Sequence, residues 1–251
     1  MSEGDDLGKR LTERMTLSER DQSSPDSEPR DAATLMLIDR ADPQNPKVLL
    51  GRRHAGHKFM PGKFVFPGGR IEAADRAMPA ASELHPDTVK KLMTRVATPS
   101  AEYARGFPLA AIRETCEETG LLLGTKRDQP PNVPGELWID FARASIFPDL
   151  AHIHFIARAI TPPRRPRRFD TRFFTADASQ IAHRIDGIVS PTSELVELVW
   201  APIAQAAKFD MPTITSVILE ELGARVKAGM AHDLAVPFYF MQDGKFFREL
   251  L

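Results

Sequence analysis

The sequence lacks features that several protein classes need. It has one cysteine in 251 residues, which excludes a disulfide within the chain and favours a reducing compartment. Its formal net charge is −1, so no bulk attraction to nucleic acid or to a membrane surface is predicted. No apolar run is long enough for a transmembrane helix, and no secretory segment is visible. We expect a cytoplasmic protein without nucleic acid or membrane partners, and a homodimer stays open.

The N-terminal region differs in composition from the rest of the chain. Residues 1–31 are rich in serine, aspartate, glutamate and arginine and have few large apolar side chains. Such segments bury too little surface to offset the entropy lost on ordering. We therefore predict a flexible tail over 1–31 and one folded domain over 32–251.

Short apolar runs and segments with helical spacing alternate after residue 32. Strands are predicted at 33–38, 48–50, 64–66, 151–160, 169–175 and 194–200. Helices are predicted at 85–96, 107–119, 201–208 and 212–227, and residues 137–141 fit either state. This succession predicts an α/β fold in which a mixed β-sheet is sandwiched between α-helices.

Three acidic residues are concentrated near the end of one predicted helix. Glu114, Glu117 and Glu118 share one helical face, where like charges repel, and Gly120 suits the residue just after a helix end. Mg²⁺ prefers oxygen ligands and would relieve this repulsion. Arg113 is placed to pair with Glu117 one turn later. Taken alone, the glutamates are equally compatible with an ordinary solvated helix face.

A glycine bend precedes this helix in the sequence. Residues 66–72 read Phe-Pro-Gly-Gly-Arg-Ile-Glu, which is typical of a strand end that runs into a turn. Gly68 and Gly69 can adopt backbone angles that other residues resist, and they leave a carbonyl group accessible.

The glycine bend and the acidic helix resemble the two halves of the Nudix box, G-x5-E-x7-R-E-U-x-E-E-x-G-U, where U is a bulky aliphatic residue. Gly69 matches the first glycine, and the second half matches Arg113, Glu114, Glu117, Glu118, Gly120 and Leu121. Asp75 replaces the first glutamate, Thr115 replaces an aliphatic residue, and an insertion over 76–112 replaces the seven-residue spacer. Such an insertion is tolerable because loop-closure entropy grows slowly with length.

A second resemblance points to one branch of the superfamily. Residues 48–69 are similar to the segment that precedes the box in coenzyme A diphosphatases, with Leu49, Leu50, an arginine, a basic residue at Lys58, a glycine and Phe-Pro-Gly-Gly. The long insertion, residues 59–62 and residues 168–174 resemble the peroxisomal-type members and their bacterial relatives.

The resemblance implies a hydrolase that uses Mg²⁺ or Mn²⁺. It implies metal ligands at Glu114, Glu117 and Glu118, with the carbonyl group of Gly69 as a further ligand. Glu114 is one candidate for the general base, as in some relatives. Others use an acid from a later loop, for which Glu194 is the candidate, although it equally fits a surface residue at a strand start.

Arginines are the candidates for binding the phosphates of a substrate. Arg52 and Arg53 lie on one strand, so only one of the two points inward. Arg70 follows the glycine bend directly. Arg168, at the end of the basic run 164–168, and Arg172 fit capture of a further phosphate, such as the 3′-phosphate of coenzyme A. The same run also fits a solvated basic loop.

Two classes of function follow from the resemblance. The favoured one is a diphosphatase that cleaves coenzyme A or acyl-coenzyme A to 3′,5′-ADP and a 4′-phosphopantetheine. ADP-ribose, NADH and dinucleoside polyphosphates are alternative substrates. The other class is a non-catalytic module that senses a nucleotide, and the repulsive glutamate cluster argues against it because mere binding does not require it.

Overall fold

A computed structural model describes residues 3–57 and 60–251 of the chain. Lys58, the basic position of the second resemblance, lies outside them. Within these ranges, no helix has the length and apolar character needed to cross a membrane. The helices are α1 (Glu3–Leu17), α2 (Ala73–Ala77), α3 (Pro86–Leu92), α4 (Ala101–Thr119), α5 (Ile139–Ala144) and α6 (Thr213–Lys227).

The strands form one large sheet and two small ones. They are β1 (Arg30–Asp39), β2 (Lys47–Arg53), β3 (Phe64–Val65), β4 (Gly68–Arg70), β5 (Leu121–Leu123), β6 (Thr125–Lys126), β7 (Ile146–Phe147), β8 (His154–Ile160), β9 (Phe169–Asp177), β10 (Ile181–Arg184), β11 (Leu195–Pro202), β12 (Pro237–Gln242) and β13 (Lys245–Leu250). The large sheet has the order β11-β2-β1-β9-β8-β12-β13, with β3 paired to β2 and β4 paired to β1. The strand β1 runs parallel to β9 and antiparallel to β2, so the sheet is mixed, as predicted.

Helices cover both faces of the large sheet. Along β1, Leu35 and Leu37 join a core with α4, whereas Met36 and Ile38 join a second core with α1 and α6. This alternation follows from the two-residue period of a strand, which sends successive side chains to opposite faces. The predicted sandwich of helices around a mixed sheet is confirmed.

The box helix is longer than predicted. The sequence suggested a start at residue 107, but α4 begins at Ala101, where the Ser100 hydroxyl accepts a hydrogen bond from the backbone N–H of Tyr103 (3.0 Å). Pro108 therefore lies inside α4. Its missing N–H removes one helical hydrogen bond, and burial of Ala104 and Phe107 compensates for that loss. The helix ends at Gly120, whose φ of 75° suits glycine.

The insertion folds as helical structure against the sheet. The predicted helix at 85–96 is observed as α3 over Pro86–Leu92, and residues 101–112 of the insertion belong to α4. Lys91 of α3 donates hydrogen bonds to the carbonyl groups of His232 and Leu234 at 2.6 and 2.8 Å. The ring of His232 stacks between His85 and His154, with centroids 4.4 and 4.2 Å away. The insertion is therefore attached to the domain.

The ambiguous segment at 137–141 is helical. A 3₁₀ turn over Glu136–Trp138 leads directly into α5, and the side chains of Trp138 and Phe141 are buried together. The two rings lie 4.9 Å apart between centroids. Trp138 and Phe141 pack in the same core as α4. This tertiary packing selects the helix over the strand, a choice that local periodicity left open.

The predicted flexible tail is wrong for residues 3–17. They form α1, whose Leu11 and Met15 are buried in the core shared with α6. Arg10 and Arg14 both bind Glu220 of α6, each at 2.6 Å. Although the segment is mostly polar, these two apolar residues have i, i+4 spacing and form a stripe on one helical face, which is sufficient for docking.

We expect Leu11→Ala to destabilise the protein by about 2–5 kcal/mol, because it removes a fully buried side chain and leaves a cavity. Urea denaturation at neutral pH measures the free energy of unfolding. Leu17, in the same helix, is 75% exposed, so Leu17→Ala serves as a matched control with an expected change within about 0.5 kcal/mol. Equal stability of the two variants would contradict docking of α1.

Candidate active site

The glycine bend is fixed against β1 and against the box helix. In β4, Gly68 pairs with Thr34 and Gly69 pairs with Ala33. A Cβ atom on Gly68 would overlap the backbone of β1, and one on Gly69 would overlap the carboxylate of Glu114. Glycine at position 68 allows the bend to approach the backbone of β1 closely, and glycine at position 69 leaves room for the carboxylate of Glu114.

A buried ion pair joins the two halves of the box. Arg113 Nε donates to Asp75 Oδ1 at 2.8 Å, and Nη2 donates to Asp75 Oδ2 at 3.1 Å. Asp75 also accepts hydrogen bonds from the indole N–H of Trp138 (3.2 Å) and from the backbone N–H of Glu72 (2.8 Å). Because its oxygens are engaged in this way, Asp75 positions the arginine, despite the insertion that separates them in sequence.

The same arginine orients the bend and two glutamates. Arg113 Nη2 donates to the carbonyl group of Arg70 at 2.9 Å. Arg113 Nη1 donates to Glu114 at 2.9 Å and to Glu117 at 3.1 Å. The predicted pairing of Arg113 with Glu117 is confirmed. Its guanidinium group holds the acidic face of α4 beside the glycine bend.

Two glutamates of α4 sit in an environment that disfavours their charge. Burial raises the pKa of Glu118 well above its usual range, and the negative charges of Glu194 and Glu114 raise it further. Arg53 and a hydrogen bond from the backbone N–H of Gly68 act in the opposite direction. Burial also raises the pKa of Glu114 to about 7. Glu118 therefore lies close enough to both Glu114 and Glu194 for their charges to repel it.

Glu194 joins this group through the register of two strands. Pairing of β2 with β11 places Arg53 opposite Leu195, and Arg53 Nη2 binds Glu194 Oε1 at 2.7 Å. The side chain of Arg53 is 15% exposed, whereas that of Arg52 is 45% exposed and binds Glu197 at 2.8 Å. The prediction that only one of the two arginines points inward is confirmed, and Arg53 is that residue.

The donor set suits a hard divalent cation. Glu114 and Glu118 offer only oxygen ligands in a site with low solvent access, where a cation would relieve the repulsion. Within residues 3–57 and 60–251, no three histidine, cysteine, aspartate or glutamate side chains are already arranged to hold an ion. Glu114 and Glu117 each bind Arg113 through Oε1.

The predicted substrate arginines occupy different environments. Arg70 is exposed directly after the bend. Arg168 binds Asp26 at 2.9 Å and donates to the carbonyl group of Thr161 at 3.2 Å. Arg70 and Arg168 line the same cavity, whereas Arg52 faces away with Glu197.

Arg172 was predicted to contact the substrate, but the structure buries it among other side chains. Its side chain is 1% exposed and binds Asp31 at 2.8 Å and Asp170 at 3.2 Å. It also donates to the hydroxyl of Tyr103 at 3.2 Å and lies 4.0 Å above the ring of Phe107. These contacts tie β9 to β1 and to α4, which leaves the guanidinium group inaccessible.

No family model matches the sequence. Human acyl-coenzyme A diphosphatase NUDT19 is 30% identical over 177 aligned residues. The match covers 51% of this chain and 47% of the human protein. The chain therefore spans about half the length of this curated relative.

The fold is shared with a solved structure. A Nudix hydrolase from Alicyclobacillus acidocaldarius has a TM-score of 0.60 and 26% identity, with 81% of this chain and 96% of that chain covered. The Nudix domain of Shewanella oneidensis NrtR, solved with ADP ribose, has a TM-score of 0.44 and 16% identity, with 90% and 99% covered.

The fold and the box residues place the chain in the Nudix hydrolase superfamily, as the sequence resemblance implied.

We expect Gly69→Ala to weaken Mn²⁺ binding by about 10–100-fold, because the added methyl group displaces the carboxylate of Glu114. Isothermal titration calorimetry measures this affinity. Gly223→Ala, in α6, is the matched control, since its added Cβ makes only an ordinary contact with Ile203. Unchanged Mn²⁺ affinity in the Gly69 variant would show that the bend and Glu114 do not form one site.

Proposed function

We propose that this protein is a Mg²⁺- or Mn²⁺-dependent pyrophosphohydrolase that cleaves a nucleoside diphosphate linked to another group. The observation that carries the proposal is the buried Glu118 beside the glycine bend, with the negative charges of Glu114 and Glu194 close enough to repel it. Such a set is unfavourable without a cation and becomes favourable when divalent ions bind. Similarity to a Nudix hydrolase structure at 26% identity supports the same reaction class.

In this proposal, Glu114, Glu117, Glu118 and the carbonyl group of Gly69 hold the ions. Bound divalent cations would neutralise the charge on the pyrophosphate and lower the pKa of water. The chain itself supplies the general base, for which Glu114 and Glu194 are the two candidates. Burial raises the pKa of Glu114 to about 7 in the metal-free site, and a bound cation would lower it again by favouring the carboxylate.

Arg53 has a positioning role in this proposal. It binds Glu194 at 2.7 Å and lies close enough to Glu118 to lower the pKa of that carboxyl group. The buried guanidinium group therefore keeps Glu194 next to the ligands. When a pyrophosphate enters, its oxygens compete with Glu194 for the same guanidinium donors, which frees the carboxylate.

Coenzyme A or acyl-coenzyme A is the proposed substrate, with 3′,5′-ADP and a 4′-phosphopantetheine as products. Two observations support this choice: the match to human acyl-coenzyme A diphosphatase NUDT19 and the sequence pattern before the box. We further propose a cytoplasmic location without a nucleic acid partner, on the basis of the single buried cysteine and a net charge of −1.

We expect the purified protein with Mg²⁺ or Mn²⁺ to release 3′,5′-ADP from coenzyme A faster than it cleaves ADP-ribose, NADH or diadenosine polyphosphates. Chromatography of the products from this panel measures the preference. Cleavage of ADP-ribose with coenzyme A untouched would contradict the substrate and retain the reaction class. Absence of turnover with every compound would favour the nucleotide sensor.

We expect Glu118→Gln to lower kcat by about two to three orders of magnitude while the fold persists. The amide ligates a cation poorly, which lowers kcat. It has the same shape as the carboxyl group and removes a repulsive buried charge, so the fold persists. Steady-state kinetics and a thermal melt measure the two effects. Glu220→Gln, on the distant α6, is the control with the same chemical change. Near-normal kcat in the Glu118 variant would refute its assignment as a ligand.

A further inference from the structure

A cavity beside the glycine bend is lined by arginines from three parts of the chain. It has a volume of about 790 Å³, within the range of about 300–1,000 Å³ that is usual for small-molecule sites. Residues 27–30, the loop 166–169 and the bend itself form its walls. Four arginines contribute to the lining: Arg30, Arg70, Arg167 and Arg168. We call this cavity the arginine pocket.

Within the part of the chain that the structure describes, three of these four arginines have no acidic partner. Among the described residues, only Arg168 forms an ion pair, with Asp26 at 2.9 Å. The side chains of Arg30, Arg70 and Arg167 are exposed, and none of them makes an ion pair or a hydrogen bond within residues 3–57 and 60–251. Glu28 is the one acidic residue that lines the pocket. The pocket thus carries an excess of positive charge that attracts an anion.

The walls of the arginine pocket are connected to each other beside the glycine bend. Arg30 opens β1, and its backbone N–H donates to the carbonyl group of Arg168 at 3.0 Å, so the segment before β1 and the basic loop are joined. Arg70 follows Gly69 directly in β4. The arginine pocket is therefore adjacent to the bend but made of residues other than the glutamates of α4.

We infer that the arginine pocket binds a phosphate monoester that the substrate carries on its nucleoside, apart from the pyrophosphate that is cleaved. This inference rests on the proposed function for the position of the pyrophosphate. Guanidinium groups bind phosphate oxygens through paired N–H donors, and several forks around one cavity favour a dianion over a carboxylate. The pocket thereby distinguishes a 3′-phosphorylated nucleotide from one without that group.

Binding of two nucleotides without metal tests the pocket independently of catalysis. Isothermal titration calorimetry should give an affinity for 3′,5′-ADP at least about ten-fold higher than for 5′-AMP. The reason is that 5′-AMP lacks the 3′-phosphate and therefore its charge-assisted hydrogen bonds to the arginines. In Arg30→Gln and Arg167→Gln, this ratio should fall to about two-fold or less. Arg164→Gln, in the same basic loop but outside the pocket, removes the same charge and should keep the ratio. Equal affinities in the unaltered protein, or an equal loss in Arg164→Gln, would overturn the inference.

Turnover separates failure of the pocket from failure of the proposed function. The ratio of kcat/KM for coenzyme A to that for 3′-dephospho-coenzyme A should fall about ten-fold in Arg167→Gln. A fall in both kcat/KM values by the same factor would show that Arg167 contacts the scissile pyrophosphate, which contradicts the inference. If neither compound is cleaved while 3′,5′-ADP still binds selectively, the proposed reaction fails and the pocket stands.

Discussion

The buried pair between Arg113 and Asp75 is the interaction on which the rest of the site depends. One guanidinium group binds an aspartate on α2, the carbonyl group of Arg70 in the bend, and two glutamates of its own helix. Removing one partner of such a pair leaves an uncompensated buried charge, which costs about 3–5 kcal/mol. The geometry of the glycine bend relative to the acidic face of α4 is therefore coupled to the stability of the domain.

This pair also explains how a long insertion fits inside a short motif. The chain leaves the site just after α2 and returns along α4, which starts twelve residues before Arg113. The intervening segment packs on the domain through α3 and the stacked rings of His85, His232 and His154. Because Arg113 binds Asp75 directly, the spacing between them in sequence matters less than their contact. The shorter aspartate in place of glutamate serves this contact with both oxygens.

The sequence predicted those relations within the site that depend only on the periodicity of a single helix or strand. Helical periodicity placed Glu114, Glu117 and Glu118 on one face, and strand alternation separated Arg52 from Arg53. The environments of the other residues depend on contacts between segments that are distant in sequence. Arg168 and Arg172 are close in sequence, yet the parallel pairing of β9 with β1 buries only the second. The docking of α1 and the role of Arg30 likewise depend on tertiary neighbours, which composition does not reveal.

The central claim is that carboxylates on α4, held by Arg113 beside the glycine bend, bind divalent cations. A crystal structure of the protein grown with Mn²⁺ tests this most directly, because anomalous scattering locates the ion independently of the surrounding side chains. The account predicts an anomalous peak ligated by Glu118 and Glu114 next to Gly69. Clear density for these side chains with no Mn²⁺ between them, at saturating Mn²⁺, would contradict it.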